Sequence, residues 1–194
     1  MKPYIQCLPM ALTLVRFPIA AGLVFDAIDG SASRLFLPLF MFAALSDVLD
    51  GFVARKMKIT TVRGALLDGY ADIALYSASL LSAYFIYPII IKKYLLGWIV
   101  LLLIQIISWG FSLIKFGKMT SYHTYSAKAW GIIIVASFII LFSFESGILL
   151  PLTILAGLIC NGEEIFITTI MPYWKAGILN YRVAISLRDE FRRK

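Results

Sequence analysis

The stretch that decides the fold runs Asp47-Val48-Leu49-Asp50-Gly51-Phe52-Val53-Ala54-Arg55 and, after a short basic loop, Gly64-Ala65-Leu66-Leu67-Asp68-Gly69-Tyr70-Ala71-Asp72. Apolar and small residues fill most of the gaps between the charges, so each half reads as a helix carrying a polar stripe. At about 100° per residue, Asp47, Asp50, Gly51, Ala54 and Arg55 share an arc of roughly 140°. Gly64, Asp68 and Asp72 follow the i, i+4, i+8 rule and share one face of the next helix.

Both halves sit in a chain whose solvent is lipid. Of its 194 residues 61% are hydrophobic, and the mean hydropathy is +0.88, well above the range of soluble domains. A helix needs roughly 20 apolar residues to cross the hydrocarbon layer. Six such stretches are expected, at 8–28, 35–56, 64–88, 94–114, 127–145 and 148–171. The fold class is therefore all-α: an integral membrane bundle of six transmembrane helices, with residues 1–194 as a single membrane-embedded domain. A cleaved leader ending near Ser31-Ala32-Ser33 is not expected, because Arg16 interrupts the first apolar run and the following segments are equally apolar.

Basic residues orient the bundle. With the N-terminus in the cytoplasm, that side collects fifteen of the eighteen Lys and Arg residues, Arg16 among them, and the opposite side only Arg34, Lys92 and Lys93. Both termini are then cytoplasmic, in the plasma (inner) membrane if the source is bacterial. The net charge of +7 is explained by a basic face beside anionic headgroups and calls for no nucleic acid. The last segment, about 175–194, mixes apolar residues with arginines and reads as a membrane-surface helix or tail. Cys7 and Cys160 are isolated and indicate neither a disulfide framework nor a zinc site.

Intramembrane acids are costly and mark functional sites. Six of the eleven acids fall within the spans: Asp47, Asp50, Asp68, Asp72, Glu163 and Glu164. A short loop near Lys56–Arg63 makes the second and third spans antiparallel neighbours, with Asp47 and Asp72 each about 13 Å from it. Four carboxylates at one depth repel unless cations join them. Hard divalent ions with oxygen ligands answer that need, and Mg²⁺ characteristically shares carboxylates with substrate phosphate.

The pattern Asp47-x2-Asp50-Gly51-x2-Ala54-Arg55-x8-Gly64-x3-Asp68-x3-Asp72 resembles the signature of the CDP-alcohol phosphotransferase (CDP-alcohol phosphatidyltransferase) family at all eight fixed positions. In addition, Pro9-x3-Thr13-x2-Arg16 is similar to the opening segment of bacterial phosphatidylglycerophosphate synthases, with Met10 where such members often have Asn. The resemblance implies a transferase in phospholipid synthesis. An acceptor hydroxyl attacks the lipid-side phosphorus of a CDP-linked lipid such as CDP-diacylglycerol, and CMP leaves. It implies one or two Mg²⁺ or Mn²⁺ ions on Asp47, Asp50, Asp68 and Asp72, with Asp72 also the catalytic base. It implies nucleotide binding by Asp50, Gly51, Ala54, Arg55, Gly64 and Asp68, a site open to the cytoplasm, and a homodimer.

The acceptor alcohol is nominally glycerol 3-phosphate, with inositol phosphate, serine or another alcohol as alternatives. Lys118, His123 and Lys128, in or near a basic, hydroxyl-rich loop, are its candidate contacts. Glu163 and Glu164 lie about 11–12 Å from the expected end of the sixth span, so at least one is expected to face a cavity, pairing with a basic residue such as Lys128 or orienting the acceptor. An intramembrane prenyltransferase would carry two separated acidic motifs, and a small cation transporter would show repeat symmetry. The chain shows neither feature.

Overall fold

A computed structural model describes residues 3–56, 62–120, 122 and 124–193, with side chains placed except at 3–9, 48, 51–56, 62, 63 and 65. The described chain is helical throughout: α1 (Pro3–Ala27), α2 (Phe36–Lys56), α3 (Val62–Ile86), α4 (Pro88–Lys93), α5 (Leu95–Phe116), α6 (Tyr125–Phe144), α7 (Leu150–Ile170) and α8 (Tyr181–Arg192). Among the described residues, four segments are long and apolar enough to cross a membrane: Met10–Ala27, Leu95–Phe116, Tyr125–Phe144 and Leu150–Ile170. The helices α2 and α3 each carry two aspartates, which lowers their hydropathy, and of α2 only Phe36–Asp47 stands out as a shorter apolar helix.

The exposure pattern is that of a multi-pass membrane protein. Phe25, Ile89 and Ile114 are each at least 80% exposed, which water would penalise and hydrocarbon does not. The helix breaks have local causes. After α1, the Asp29 carboxylate accepts from the backbone N–H and hydroxyl of Ser31 at 3.0 and 2.9 Å, and Gly30 takes the left-handed conformation at φ +84° that favours glycine. At the end of α5, Gly117 caps in the same region and donates its N–H to Leu113. The Asn180 side chain caps α8 by accepting from Val183 N at 3.0 Å.

The chain forms two compact units. The first comprises Met1–Lys93 with Phe138–Gly147, and the second Tyr94–Ser137 with Ile148–Lys194. In the first, α1 packs extensively on both α2 and α3, whereas α2 and α3 touch only sparingly. The contact between α2 and α3 agrees with their expected adjacency, and α1 lies against both. An aromatic cluster of Phe36, Phe40, Phe138 and Phe142, with centroid separations of 4.5–6.1 Å, closes the end of the unit away from the aspartates.

In the second unit, α7 packs on α5 with glycine at the close approaches. A β-carbon on Gly157 would lie 2.7 Å from Leu101 Cδ1 and 2.8 Å from the Trp130 ring, so helix and indole meet because no side chain intervenes. Trp98 is buried and Trp130 lies against Gly157, so both serve packing. The C-terminal segment is a helix only from Tyr181, later than the expected 175. It docks by burying Ala184 in a cluster with Tyr122, Ile167, Met171 and Ile178.

Candidate active site

The four signature aspartates converge, and what they converge on is Arg16. This side chain, from the middle of α1, is fully buried. Its Nη1 donates to Asp47 Oδ1 at 2.9 Å and to Asp72 Oδ1, and its Nη2 donates to Asp50 Oδ2 at 2.8 Å and to Asp68 Oδ1. Asp50 Oδ2 also accepts from Thr13 Oγ1 at 2.9 Å. Thr13 and Arg16 are three apart and so lie on one face of α1, which is why both reach the same carboxylates.

The burial of the acids is graded. The Asp50 side chain is 5% exposed, whereas those of Asp47, Asp68 and Asp72 are 27–32% exposed. Asp50 is thus the floor of the cluster and the other three its rim. One guanidinium against four carboxylates leaves a formal charge of about −3 when all are ionised, a field that attracts cations. Ligand oxygens from Asp47, Asp50 and Asp68 lie within 4.8 Å of one another. Two oxygens bound to one divalent ion are at most roughly 4–5 Å apart, so this donor set, hard and anionic, fits Mg²⁺, Mn²⁺ or a similar ion.

By sequence, Arg16 counts in the basic cytoplasmic tally and in the first-span resemblance, not among the expected site residues. It belongs to the charge cluster instead. The signal that finds it is its isolation: no other charged residue lies between Lys2 and Asp26, and an arginine inside a membrane helix needs a partner.

Of the other expected site residues, Gly64 is exposed near the start of α3. Gly51, Ala54 and Arg55 lie outside the described side chains, and His123 outside the described residues. Lys118 and Lys128 are both exposed. The Lys118 ammonium sits 4.9 Å over the Trp174 ring and that of Lys128 5.4 Å over Tyr125.

The second unit holds the remaining intramembrane acids. Glu163 accepts from Ser126 Oγ and from the Tyr181 backbone N–H at 3.2 Å. Glu164 accepts from Ser108 Oγ at 3.2 Å and Thr120 Oγ1 at 3.4 Å. Neither has the expected partnership with Lys128. Hydroxyls satisfy Glu164, and a hydroxyl with the Tyr181 N–H satisfies Glu163; together they tie α7 to α5, to the 117–124 loop and to the starts of α6 and α8. The same loop is held by Trp174 Nε1 donating to Met119 O at 3.0 Å, and Lys115 Nζ donates to the Thr168 and Thr169 carbonyls of α7 at 2.8 Å.

A cavity of about 640 Å³ in the first unit lies at the other end, between Arg34, Phe36, Tyr87, Phe142 and Glu145. Along α2 it is roughly 16 Å from Asp47, and it contains no signature residue.

Comparison with known proteins agrees with this arrangement. The family described as CDP-alcohol phosphatidyltransferase matches residues 6–177. The chain belongs to this family. Membership decides against the prenyltransferase and transporter alternatives.

Among curated relatives, a CDP-diacylglycerol--glycerol-3-phosphate 3-phosphatidyltransferase of Wigglesworthia glossinidia brevipalpis is 43% identical over 67 residues, covering 34% of this chain and 37% of its own. A cardiolipin synthase (CMP-forming) of Oryza sativa subsp. japonica is 36% identical over 80 residues, covering 40% of this chain and 24% of its own. The CDP-diacylglycerol--glycerol-3-phosphate 3-phosphatidyltransferase 1, chloroplastic/mitochondrial, of Arabidopsis thaliana is 36% identical over 78 residues, covering 38% and 26%. The chain thus spans between 24% and 37% of the length of these family relatives. No solved structure matches it.

Proposed function

We propose that the chain transfers a phosphatidyl group from CDP-diacylglycerol to the hydroxyl of glycerol 3-phosphate, releasing CMP. The observation that carries this reading is the convergence of four aspartates, spaced as the family signature spaces them, on one buried point. Asp47, Asp50, Asp68 and Asp72 hold one or two Mg²⁺ or Mn²⁺ ions, which when bound neutralise the pyrophosphate and the departing CMP.

The chain's own residues do the rest. Asp72 takes the acceptor's proton as the acceptor oxygen bonds to the lipid-side phosphorus. The bond from that phosphorus to the bridging oxygen breaks, and its electron pair leaves with CMP. Gly51, Ala54 and Gly64 leave room for the nucleotide against the helix backbones, and Arg55 presents its planar fork to phosphate oxygens. Lys118, His123, Lys128, Glu163 and Glu164 belong to the acceptor side, Glu164 by holding the 117–124 loop at Thr120 and Glu163 by holding the start of α6 at Ser126.

Glycerol 3-phosphate is favoured over inositol phosphate or serine because relatives named for that acceptor recur among the similar proteins. A second reading, a lipid alcohol as acceptor, is favoured by the likeness to a cardiolipin synthase. In this proposal residues 1–194 are one membrane-embedded domain. Six helices, α1, α2, α3, α5, α6 and α7, span the membrane, both termini are cytoplasmic, and α8 lies at the surface. The chain forms a homodimer whose site opens to the cytoplasm, in the inner membrane if the source is bacterial.

The test is purified protein with CDP-diacylglycerol, Mg²⁺ or Mn²⁺ and a panel of acceptors: glycerol 3-phosphate, inositol phosphate, serine and phosphatidylglycerol. Ion-dependent CMP release is expected with glycerol 3-phosphate and is abolished by EDTA. No release with any acceptor, together with an Asp72→Asn variant indistinguishable from wild type, rejects the assignment.

A further inference from the structure

A guanidinium offers five N–H donors in one rigid plane. In Arg16 the four on Nη1 and Nη2 all go to carboxylates, and each terminal nitrogen joins one aspartate of α2 to one of α3. The fifth, on Nε, is buried and has no partner among the described residues. The side chain is therefore seated to serve the aspartates and not its own hydrogen-bonding requirement. It engages one oxygen from each of the four carboxylates, three of which form the group able to hold an ion. A dication drawn to those oxygens would meet the positive charge already held among them and be repelled by it. Thr13 is different in kind: its neutral hydroxyl can stay on Asp50 whether or not an ion is present.

On the reading that this cluster is a divalent-ion site, we propose that Arg16 is its resident counter-cation: it holds the four aspartates together when no ion is bound and competes with the ion for them. Two consequences follow from charge alone. Without Arg16, α2 and α3 present four carboxylates to each other with nothing between them, so the ion-free protein is weakened. The same loss makes the site more negative, so an ion binds more tightly. Arg16 thus sets the ion affinity at a level that permits exchange and makes the fold of the first unit independent of metal.

The experiment uses the full chain in detergent. Free Mn²⁺ is followed by electron paramagnetic resonance during titration, and melting is measured in EDTA and in saturating Mn²⁺, for wild type, Arg16→Gln and Arg16→Lys. Arg16→Gln is expected to melt lower in EDTA, to gain more from Mn²⁺ than wild type does, and to bind Mn²⁺ about tenfold more tightly or better. Arg16→Lys keeps the charge but has three donors for four carboxylates, so its Mn²⁺ affinity is expected to rise by about threefold. It carries the comparison if Arg16→Gln cannot be isolated. Mn²⁺ affinities equal to or weaker than wild type overturn the proposal. Absence of Mn²⁺ binding in every protein, wild type included, instead overturns the ion-site reading on which it rests.

Discussion

Replacing Gly157 by alanine tests the packing of the second unit with a worked number. The added β-carbon would sit 2.7 Å from Leu101 Cδ1 and 2.8 and 2.9 Å from two atoms of the Trp130 indole, where ordinary carbon contacts are about 3.5–4.0 Å. Leu101 can turn its terminal methyl aside, but the indole is a rigid plate and must shift as a whole. Overpacking of this kind costs about 1–3 kcal/mol. Against it stands the helix propensity gained on replacing glycine, close to 1 kcal/mol.

Gly131, in α6, isolates that second effect because a β-carbon there meets nothing within 4 Å among the described residues. The difference between Gly157→Ala and Gly131→Ala is therefore the steric cost itself. For a chain of this size it corresponds to roughly 2–12 °C in melting temperature. Thermal melts in one detergent measure it. Gly131→Ala is expected at or above wild type and Gly157→Ala below Gly131→Ala, with part of the loss restored by adding Trp130→Leu. Equal melting temperatures for the two alanine variants would refute the reasoning.

Other outcomes are expected at the acids. Asp72→Asn should lower CMP release by about 10²-fold or more while Mn²⁺ titration still shows binding; a variant that instead loses Mn²⁺ makes Asp72 chiefly a ligand. Glu164→Leu should raise the KM for the acceptor and the rate of proteolysis within the 117–124 loop, whereas Glu164→Gln, which can still accept from Ser108 and Thr120, should do so less; identical behaviour of the two removes the loop-anchoring role. At Asp29, the N–H and hydroxyl of Ser31 hold the carboxyl below its ordinary value near 3.8. The stabilisation of that turn is therefore complete above the ordinary value and lost as pH falls through the depressed one, which carboxyl-carbon NMR titration of wild type and Ser31→Ala would show as a lower midpoint in wild type.

The aspartate cluster was legible in the sequence because helical spacing alone puts each pair on one face, and acids in apolar helices demand a common explanation. The helix that joins them was not legible. A short connection between α2 and α3 constrains their ends, and only tertiary packing decides that α1 lies against both. Arg16 was misread for a related reason: counting basic residues by side of the membrane treats every arginine as a headgroup ligand, although one set well inside α1 has no headgroup within reach. Glu163 and Glu164 were recognisable as acids needing partners, but nothing along the chain distinguishes a lysine partner from the serine and threonine hydroxyls that α5, α6 and the 117–124 loop bring to them. The same aspartates that revealed the site also lower the hydropathy of α2 and α3, so neither stands among the four helices apolar enough to cross a membrane.

The bridging of three helices by one arginine also bears on how the chain enters its membrane. A single charge at the centre of a helix raises the free energy of leaving the translocation channel by about 2.5–3.5 kcal/mol. The helix α1 carries one such charge, and α2 and α3 carry two each. On the proposal that α2 and α3 also span the membrane, release one at a time would expose to lipid a charge whose partners had not yet been synthesised or had already departed. Released together, they enter as a set in which the arginine is surrounded by its four carboxylates. Biogenesis of the first unit is thus coupled to synthesis of α3, and the chain up to Asp72 is the smallest nascent segment that carries all five charges into the bilayer.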